Sequence, residues 1–244
     1  MENGMKHTSR SRELIIASTS TVYGGKHLDY LIDEMKDFFK NTDTVTFIPY
    51  ARPGGISHDE YTQMAAAAFK KIDKELVGLH TFDNPLEGLK NSKAIFTGGG
   101  NTFVLVKALY YFELMQPLRE AIFNGLPYMG SSAGSNICGV SMQTTNDMPI
   151  VYPPSFKTLG VIPFNLNPHY LDPDTGSKHM GETRETRIKE FHSQNTVPVI
   201  GLREGSWLRV RNDEILLKGE LSARVFEQGK DPYEVETGTD FSSF

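Results

Sequence analysis

Short apolar runs alternate with longer amphipathic segments along the first two-thirds of the chain. Five of these runs are typical of buried strands, because their apolar residues are consecutive and each run is bounded by polar or glycine-rich residues. The five predicted strands span residues 13–19, 44–51, 76–82, 93–100 and 126–132.

Between these strands, apolar residues recur at helical spacing. The predicted helical segments span residues 27–39, 57–72, 102–112 and 116–125. Ser57 and Glu60 form the sequence pattern of a capping box, and Gly125 is a typical stop signal. Strands that alternate with helices predict an α/β fold, with a mainly parallel sheet covered by helices on both faces.

The C-terminal third has a different pattern. Residues 197–230 contain short strand-like runs, split at Asn212-Asp213 and at Gly219, and both breaks are hairpin signals. We therefore expect antiparallel C-terminal strands that close one edge of the sheet. No linker-like stretch divides the chain, so the sequence predicts a disordered polar tail over residues 1–12 and a single α/β domain over residues 13–244.

Composition narrows the class of protein. The net charge is −5 and no run of Lys or Arg stands out, which argues against a nucleic-acid-binding groove. Cys138 is the single cysteine, so an intrachain disulfide is excluded, as suits a reducing compartment. The N-terminus lacks the apolar segment of a secretory signal, and no apolar run approaches the roughly 18 residues of a membrane span. We expect a cytoplasmic protein that binds neither nucleic acid nor membranes.

The segment from Gly130 to Gly134 reads G-x-S-x-G, with Ser132 at its centre. This pattern can build a sharp strand-to-helix elbow that exposes a nucleophilic serine, although small residues also make ordinary tight turns. The N–H of Ala133 would then stabilise an oxyanion, with a second N–H from the glycine turn at residues 98–100. That turn lacks the G-x-G-x-x-G spacing of a nucleotide site.

A serine nucleophile needs a base and an acid that orients it. Among the seven histidines, His169 stands out because the proline of Asn167-Pro168 stiffens the turn before it and the strand-like run 159–164 leads into it. A buried structural histidine is an equally good reading. Two carboxylates, Asp147 and Glu204, compete for the orienting role, and either could be an ordinary loop residue.

A metal site is the alternative for the region around His169. His169, Asp172, Asp174 and His179 lie close together in the sequence. Their spacing matches no zinc signature, and the acidic residues do not complete a calcium loop. We expect no metal and no organic cofactor.

Six segments, taken together and in order, resemble the peptidase E family of α-aspartyl dipeptidases. They are GGGNTF, GSSAGSN, TTNDMPIV, NPHY, GETRETRI and GLREGSW, within a resemblance that runs from about Leu14 to Phe226. The resemblance implies a fold similar to the class I glutamine amidotransferases. It also implies Ser132 as nucleophile, His169 as base, and Gly99 and Ala133 as oxyanion donors. It leaves the acid open between Asp147 and Glu204, and we favour Glu204 because a carboxylate at a strand end is held more rigidly.

The resemblance further implies hydrolysis of dipeptides with an N-terminal aspartyl residue, without a cofactor. Arg184 is the first candidate to bind the aspartyl side chain, since a guanidinium pairs with a carboxylate through two hydrogen bonds, but its alternating charged surroundings also suit a solvated helix face. Asn101 is a second candidate substrate-binding residue, and Asp147 could meet the substrate's ammonium group.

The chain departs from many members of that family at three positions. Ser131, Ser135 and Arg203 stand where many relatives have Trp, Ala and Pro, and Arg203 adds a charge that could change the specificity or the pKa of the acid.

The expected partner is a small peptide substrate, and a homodimer is an open expectation. Alternative functions are a cyanophycinase-like hydrolase, a non-catalytic ligand-binding relative and, less in keeping with the polar loops, a lipase-like esterase.

Overall fold

Two sheets organise the chain in the computed structural model, which describes residues 11–173, 176 and 181–244. The strands are β1 Glu13–Ala17, β2 Thr44–Ile48, β3 Glu75–Gly78, β4 Ile95–Thr97, β5 Tyr128–Ser131, β6 Asn165–Pro168, β7 Val199–Leu202, β8 Trp207–Arg211, β9 Glu214–Lys218, β10 Ala223–Phe226 and β11 Tyr233–Val235. Within the described residues, a seven-stranded sheet has the order β3-β2-β4-β5-β1-β8-β9, and a four-stranded sheet has the order β11-β10-β7-β6.

Seven α-helices accompany these strands in the described part of the chain. They are α1 Ile32–Phe38, α2 His58–Phe69, α3 Pro85–Lys90, α4 Thr102–Tyr111, α5 Met115–Phe123, α6 Ala133–Asn136 and α7 Arg184–His192. Short 3-10 turns at Asp29–Leu31, Lys70–Ile72 and Leu79–Thr81 complete the helical structure. The predicted capping box is present at α2, where the Glu60 N–H donates to Ser57 Oγ and the Ser57 N–H donates to Glu60 Oε2.

The larger sheet is mostly parallel, which confirms the predicted α/β class. Strands β3, β2, β4, β5 and β1 pair in parallel, while β8 and β9 add an antiparallel edge beside β1. The β8–β9 turn falls at Asn212-Asp213, as the sequence predicts, and Asn212 takes the left-handed conformation that such turns need.

Alternate residues of the central strands supply two hydrophobic clusters on opposite faces of this sheet. Leu14 and Ile16 belong to the cluster that packs with α4 and α5, which we call the α4 face. Ile15 and Ala17 belong to the cluster that packs with α1 and α2, which we call the α2 face. The α4-face cluster also contains residues of β7 and β10, so the second sheet shares this core. That continuity supports a single domain, which stays a prediction.

Two sequence-based expectations about strands are wrong. Residues 159–164 do not form a strand; their apolar side chains are buried in a core-lining loop, and the strand begins at Asn165 instead. Gly219 does not mark a hairpin, because β9 ends just before it and the next strand, β10, pairs in the other sheet. In both cases hydrophobicity alone does not distinguish which buried segment carries ladder hydrogen bonds.

The fold begins earlier than the expected tail of residues 1–12 allows. Ser11 forms a bridge with Asn124, and Arg12 is only 8% exposed. The Arg12 guanidinium donates to the carbonyl oxygen of Val161 and pairs with Asp213. Ser11 and Arg12 therefore belong to the folded body, and residues 1–10 lie outside the described residues. Across the described part of the chain, no helix has both the length and the apolar character required to cross a membrane.

Candidate active site

Ser132 sits in a sharp turn between β5 and α6. Its backbone has φ 53° and ψ −111°, a conformation that costs energy for a residue with a side chain. Gly130 and Gly134 make this turn possible, because a Cβ at Gly130 would collide with the Gly134 carbonyl and a Cβ at Gly134 with that of Thr97. The strained elbow that the G-x-S-x-G pattern predicts is therefore present.

The two neighbouring serines have different environments. Ser131, the last residue of β5, is fully buried, and its Oγ has no hydrogen-bond partner among the described residues. Ser132 is partly exposed at the carboxyl end of the parallel strands. In an open parallel sheet this edge is where ligands bind, and of the two serines only Ser132 is accessible there.

His169 follows β6 directly and is also held in an unusual conformation, with φ 55°. Ser18 fixes it: the Ser18 Oγ accepts a 2.9 Å hydrogen bond from the His169 backbone N–H and donates a 2.6 Å hydrogen bond to the Leu202 carbonyl. Ser18 is fully buried just beyond β1. It thus ties the histidine turn to the end of β7 and aims the imidazole towards β5.

A continuous hydrogen-bonded chain joins three of the predicted residues. His169 Nε2 lies 2.9 Å from Ser132 Oγ, and His169 Nδ1 lies 2.6 Å from Glu204 Oε1. β6 and β7 are parallel neighbours in the smaller sheet, and Pro168 pairs with Leu202. The residues just after these strands, His169 and Glu204, consequently meet at one edge. The arrangement is that of a nucleophile, a base and an orienting acid.

Gly99 brings a second glycine-rich turn against the elbow. A Cβ at Gly99 would lie 2.9 Å from the Ser132 Cβ, so only glycine fits this close approach. The Tyr61 hydroxyl donates a 3.0 Å hydrogen bond to the Gly99 carbonyl and fixes the turn. Within the described residues, the N–H groups of Gly99 and Ala133 have no acceptor. Two such donors beside a serine oxygen can stabilise an oxyanion.

Asp147 lies elsewhere in the site. Its Oδ2 accepts hydrogen bonds from the Thr102 N–H at 2.7 Å, the Thr102 hydroxyl at 2.6 Å and the Thr145 hydroxyl at 3.0 Å. Thr102 is the first residue of α4, where a negative charge is favoured. Asp147 therefore stabilises the start of α4, and Glu204 is the carboxylate that contacts His169.

Asn101 has a structural position beside Asp147. Its Oδ1 accepts a hydrogen bond from the Val104 N–H, so Asn101 is the N-cap of α4. Its Nδ2 donates a 2.9 Å hydrogen bond to the Met148 carbonyl. These contacts tie the Gly99 turn to the loop that follows Asp147. Substrate binding by Asn101 stays a prediction.

Arg184 begins α7 and is partly buried. Its pKa is lowered by burial and by the charge of Arg187, and nearby Asp147 opposes that shift. Its guanidinium forms no hydrogen bond or ion pair with another described residue. Asp147 is thus the carboxylate whose charge acts on Arg184.

The Arg203 guanidinium forms ion pairs with carboxylates other than Glu204. It pairs with Asp172 through two hydrogen bonds of 2.6 and 2.9 Å and also contacts Glu234. These hydrogen bonds raise the pKa of Arg203. The charge of Arg203 thus stabilises the loop after His169.

The candidate metal cluster falls partly outside the described residues, where Asp174 and His179 lie. Among the residues the structure describes, no three His, Cys, Asp or Glu side chains converge in a way that could hold a metal ion. His169 contacts Ser132 and Glu204, and Asp172 pairs with Arg203.

Sequence reasoning missed three residues around the elbow: Ser18, Tyr61 and Arg52. Ser18 lies near the end of the first predicted strand and Arg52 directly follows the second, so their places at the carboxyl edge could have marked them. Tyr61 carries no such signal, because it looks like any other apolar position of α2.

Comparisons with known proteins agree with this geometry. The model of peptidase family S51 matches residues 14–218. A protein named peptidase E from Streptomyces coelicolor is 48% identical over 229 residues, which cover 94% of this chain and 93% of that protein. A probable alpha-aspartyl dipeptidase from Drosophila melanogaster is 45% identical over 220 residues, 89% of this chain and 90% of the relative.

A solved structure supports the fold. The crystal structure of a peptidase from an acI-B1 Actinobacterium matches with a TM-score of 0.72 at 17% identity, covering 96% of this chain and 97% of that one. The resemblance drawn from the six sequence segments is confirmed. The chain belongs to peptidase family S51.

Proposed function

We propose that this chain is a serine dipeptidase that hydrolyses dipeptides with an N-terminal aspartyl residue. The observation that carries the proposal is the hydrogen-bonded chain from Ser132 Oγ through His169 to Glu204. The names of the Streptomyces and Drosophila relatives, peptidase E and probable alpha-aspartyl dipeptidase, supply the substrate class.

In the proposed reaction, Ser132 attacks the carbonyl carbon of the aspartyl residue while His169 Nε2 accepts the hydroxyl proton. Glu204 keeps the imidazole in the tautomer whose Nδ1 carries a proton, and it stabilises the imidazolium that forms. The N–H groups of Gly99 and Ala133 stabilise the oxyanion, a contribution worth about 10²- to 10³-fold in rate for each donor. His169 then protonates the leaving amine, and water hydrolyses the acyl-enzyme.

The acyl half of the substrate carries an ammonium group and a side-chain carboxylate. Arg184 suits the carboxylate and Asp147 suits the ammonium, and the charge of Asp147 acts on Arg184. Oδ1 of Asp147 accepts no hydrogen bond within the described part of the chain, because the three donors bind Oδ2. Asn101, at the start of α4, is the further candidate contact on this side.

A panel of dipeptides tests the proposal. Asp-Leu is cleaved, while Asn-Leu is cleaved at a rate lower by roughly 10²-fold or more, since a site built for a charged group rejects an analogue without it. The isopeptide β-Asp-Leu keeps both charges, but its scissile carbonyl lies one carbon further from the ammonium group, so we expect its rate to be lower by roughly 10²-fold or more as well. Cleavage of β-Asp-Leu in preference to Asp-Leu would favour the cyanophycinase-like alternative. No cleavage of any member, with no fluorophosphonate label on Ser132, would favour a ligand-binding protein.

Arg184→Ala examines the specificity half of the proposal, and Arg187→Ala on the same helix is its matched control. The Arg184 variant loses its preference for Asp-Leu over Asn-Leu, whereas the Arg187 variant, whose exposed side chain lies 3.8 Å from Glu182, keeps it. An unchanged preference in Arg184→Ala would remove Arg184 from the site.

The homodimer and the cytoplasmic location expected from the sequence stay predictions.

A further inference from the structure

A second arginine near the elbow lacks an acidic partner. Arg52 lies in the loop after β2, with its guanidinium stacked 4.4 Å from the centroid of the Tyr61 ring. Across the described residues it forms no ion pair, and its Nε is buried without a hydrogen-bond partner. Buried donors in folded proteins are nearly always satisfied, so an orphaned guanidinium nitrogen indicates a missing acceptor.

His27 lies within electrostatic reach of Arg52, and its side chain also lacks hydrogen-bond partners among the described residues. Both of its ring nitrogens are buried and without hydrogen-bond partners within the described part of the molecule. Burial, and next the charge of Arg52, lower the pKa of His27 to about 4. The imidazole is therefore neutral at physiological pH and can donate one hydrogen bond. Arg52 and His27 together present donors that suit an anionic ligand.

This pair is attached to the proposed oxyanion turn. The Ala51 carbonyl, immediately before Arg52, accepts a 2.7 Å hydrogen bond from the Asn101 N–H. Tyr61, on which Arg52 stacks, donates to the Gly99 carbonyl at 3.0 Å. Tyr61 thus contacts both the Arg52 guanidinium and the Gly99 turn, which packs against Ser132.

Arg52 and Asp147 lie on opposite faces of the larger sheet. Tyr61 belongs to the α2-face cluster, so Arg52 lies on that side. Asp147 binds the start of α4, whose buried residues belong to the other cluster. An aspartyl residue whose ammonium group binds Asp147 occupies the α4 face, which leaves the leaving residue to extend towards the α2 face.

We propose that Arg52 binds the terminal carboxylate of the leaving residue, with His27 donating a further hydrogen bond to it. The inference rests on the proposed dipeptidase function and deepens it. A planar guanidinium forms paired hydrogen bonds with a carboxylate, and its stacking on Tyr61 holds it in place before the substrate arrives. The contact favours substrates with a free carboxylate one residue after the scissile bond, so dipeptides are cleaved in preference to longer chains.

The test compares Asp-Leu with Asp-Leu-amide, which differ only at that carboxylate. Wild-type protein cleaves Asp-Leu with the higher kcat/KM. Arg52→Gln lowers kcat/KM for Asp-Leu by about 10- to 100-fold, the size expected for a charge-assisted hydrogen bond, and changes the value for the amide little. Gln retains the polar stem over Tyr61, and Arg52→Lys, which restores the charge, recovers part of the loss. Lys26→Ala, an exposed charge next to His27, leaves the ratio of the two substrates unchanged.

The outcomes separate the inference from the proposed function. Equal losses on both substrates, or no loss in a folded Arg52→Gln protein, would overturn the role of Arg52 while wild-type activity on Asp-Leu upholds the dipeptidase. A changed preference between Asp-Leu and Asn-Leu would assign Arg52 to the aspartyl side chain instead and would also overturn it. A wild-type protein that cleaves neither substrate would contradict the proposed function itself.

Discussion

His169 and Glu204 are 35 residues apart in the sequence and meet through a 2.6 Å contact between Nδ1 and Oε1. The contact exists because both residues follow adjacent parallel strands, β6 and β7, whose register aligns their carboxyl ends. It leaves Nε2 directed at Ser132 Oγ, which suits Nε2 to accept a proton.

The first prediction concerns this contact. Glu204→Gln lowers kcat for Asp-Leu by about 10²- to 10⁴-fold, because an amide no longer holds the reactive tautomer or stabilises the imidazolium. Asp147→Asn changes kcat by less than about tenfold and acts mainly on KM. Steady-state kinetics of the two variants measure the difference, and the reverse order would assign the orienting role to Asp147.

The second prediction concerns the stability that Asp147 provides. Asp147→Ala lowers the free energy of unfolding by about 1–2 kcal/mol, because Thr102 at the start of α4 loses its acceptor. Asp147→Asn keeps an acceptor oxygen and loses less. Urea unfolding measures both, with Asp83→Ala as the control for an exposed carboxylate. Equal stabilities for Asp147→Ala and the control would show that the cap contributes nothing.

The third prediction uses the backbone of the elbow. At φ 53° and ψ −111° the Cβ of residue 132 causes strain that glycine lacks. Ser132→Gly is therefore more stable than Ser132→Ala by about 1 kcal/mol, the reverse of the usual preference for alanine over glycine. Denaturant unfolding of the two inactive variants decides it. An alanine variant as stable as the glycine variant would mean that the turn is relaxed.

The strand pattern and the two glycine-rich turns could be predicted from the sequence because they depend on local signals. The apolar runs of β1, β2, β4 and β5 lie within the predicted ranges, and Gly130 and Gly134 are needed by the turn in which they stand. The run 159–164 is equally apolar but lies in a buried loop, since ladder pairing is a property of the neighbouring strand as well.

The choice between the two acids could not be derived in this way. It depends on which strand ends are neighbours, and β6 and β7 are separated in sequence by α7. The partner of Asp147, Thr102, is 45 residues away and likewise unmarked. The position of Arg52 after a predicted strand marks only the carboxyl edge of the sheet, and its lack of an acidic partner among the described residues is visible only in three dimensions.

The fourth prediction follows from the depressed pKa of His27. Unfolded protein binds the proton with a pKa near 6.5 and folded protein with one of about 4. The neutral side chain therefore contributes stability above pH 6.5, and this contribution is lost as the pH falls from about 6.5 towards 4. The loss is on the order of 3 kcal/mol. His27→Gln removes this pH-dependent contribution, so the unfolding free energy of the variant falls less steeply than that of wild type over that range. Equal pH dependence of the unfolding free energy in the two proteins would contradict the lowered pKa of His27.

The account depends most on the identity of the nucleophile. Initial rates of Asp-Leu hydrolysis, measured for Ser132→Ala and for Ser131→Ala with both proteins shown to be folded, test it most directly. The account predicts a loss of at least about 10³-fold for Ser132→Ala and a rate within about tenfold of wild type for Ser131→Ala. Equal rates in the two variants, or an active Ser132→Ala protein, would contradict it.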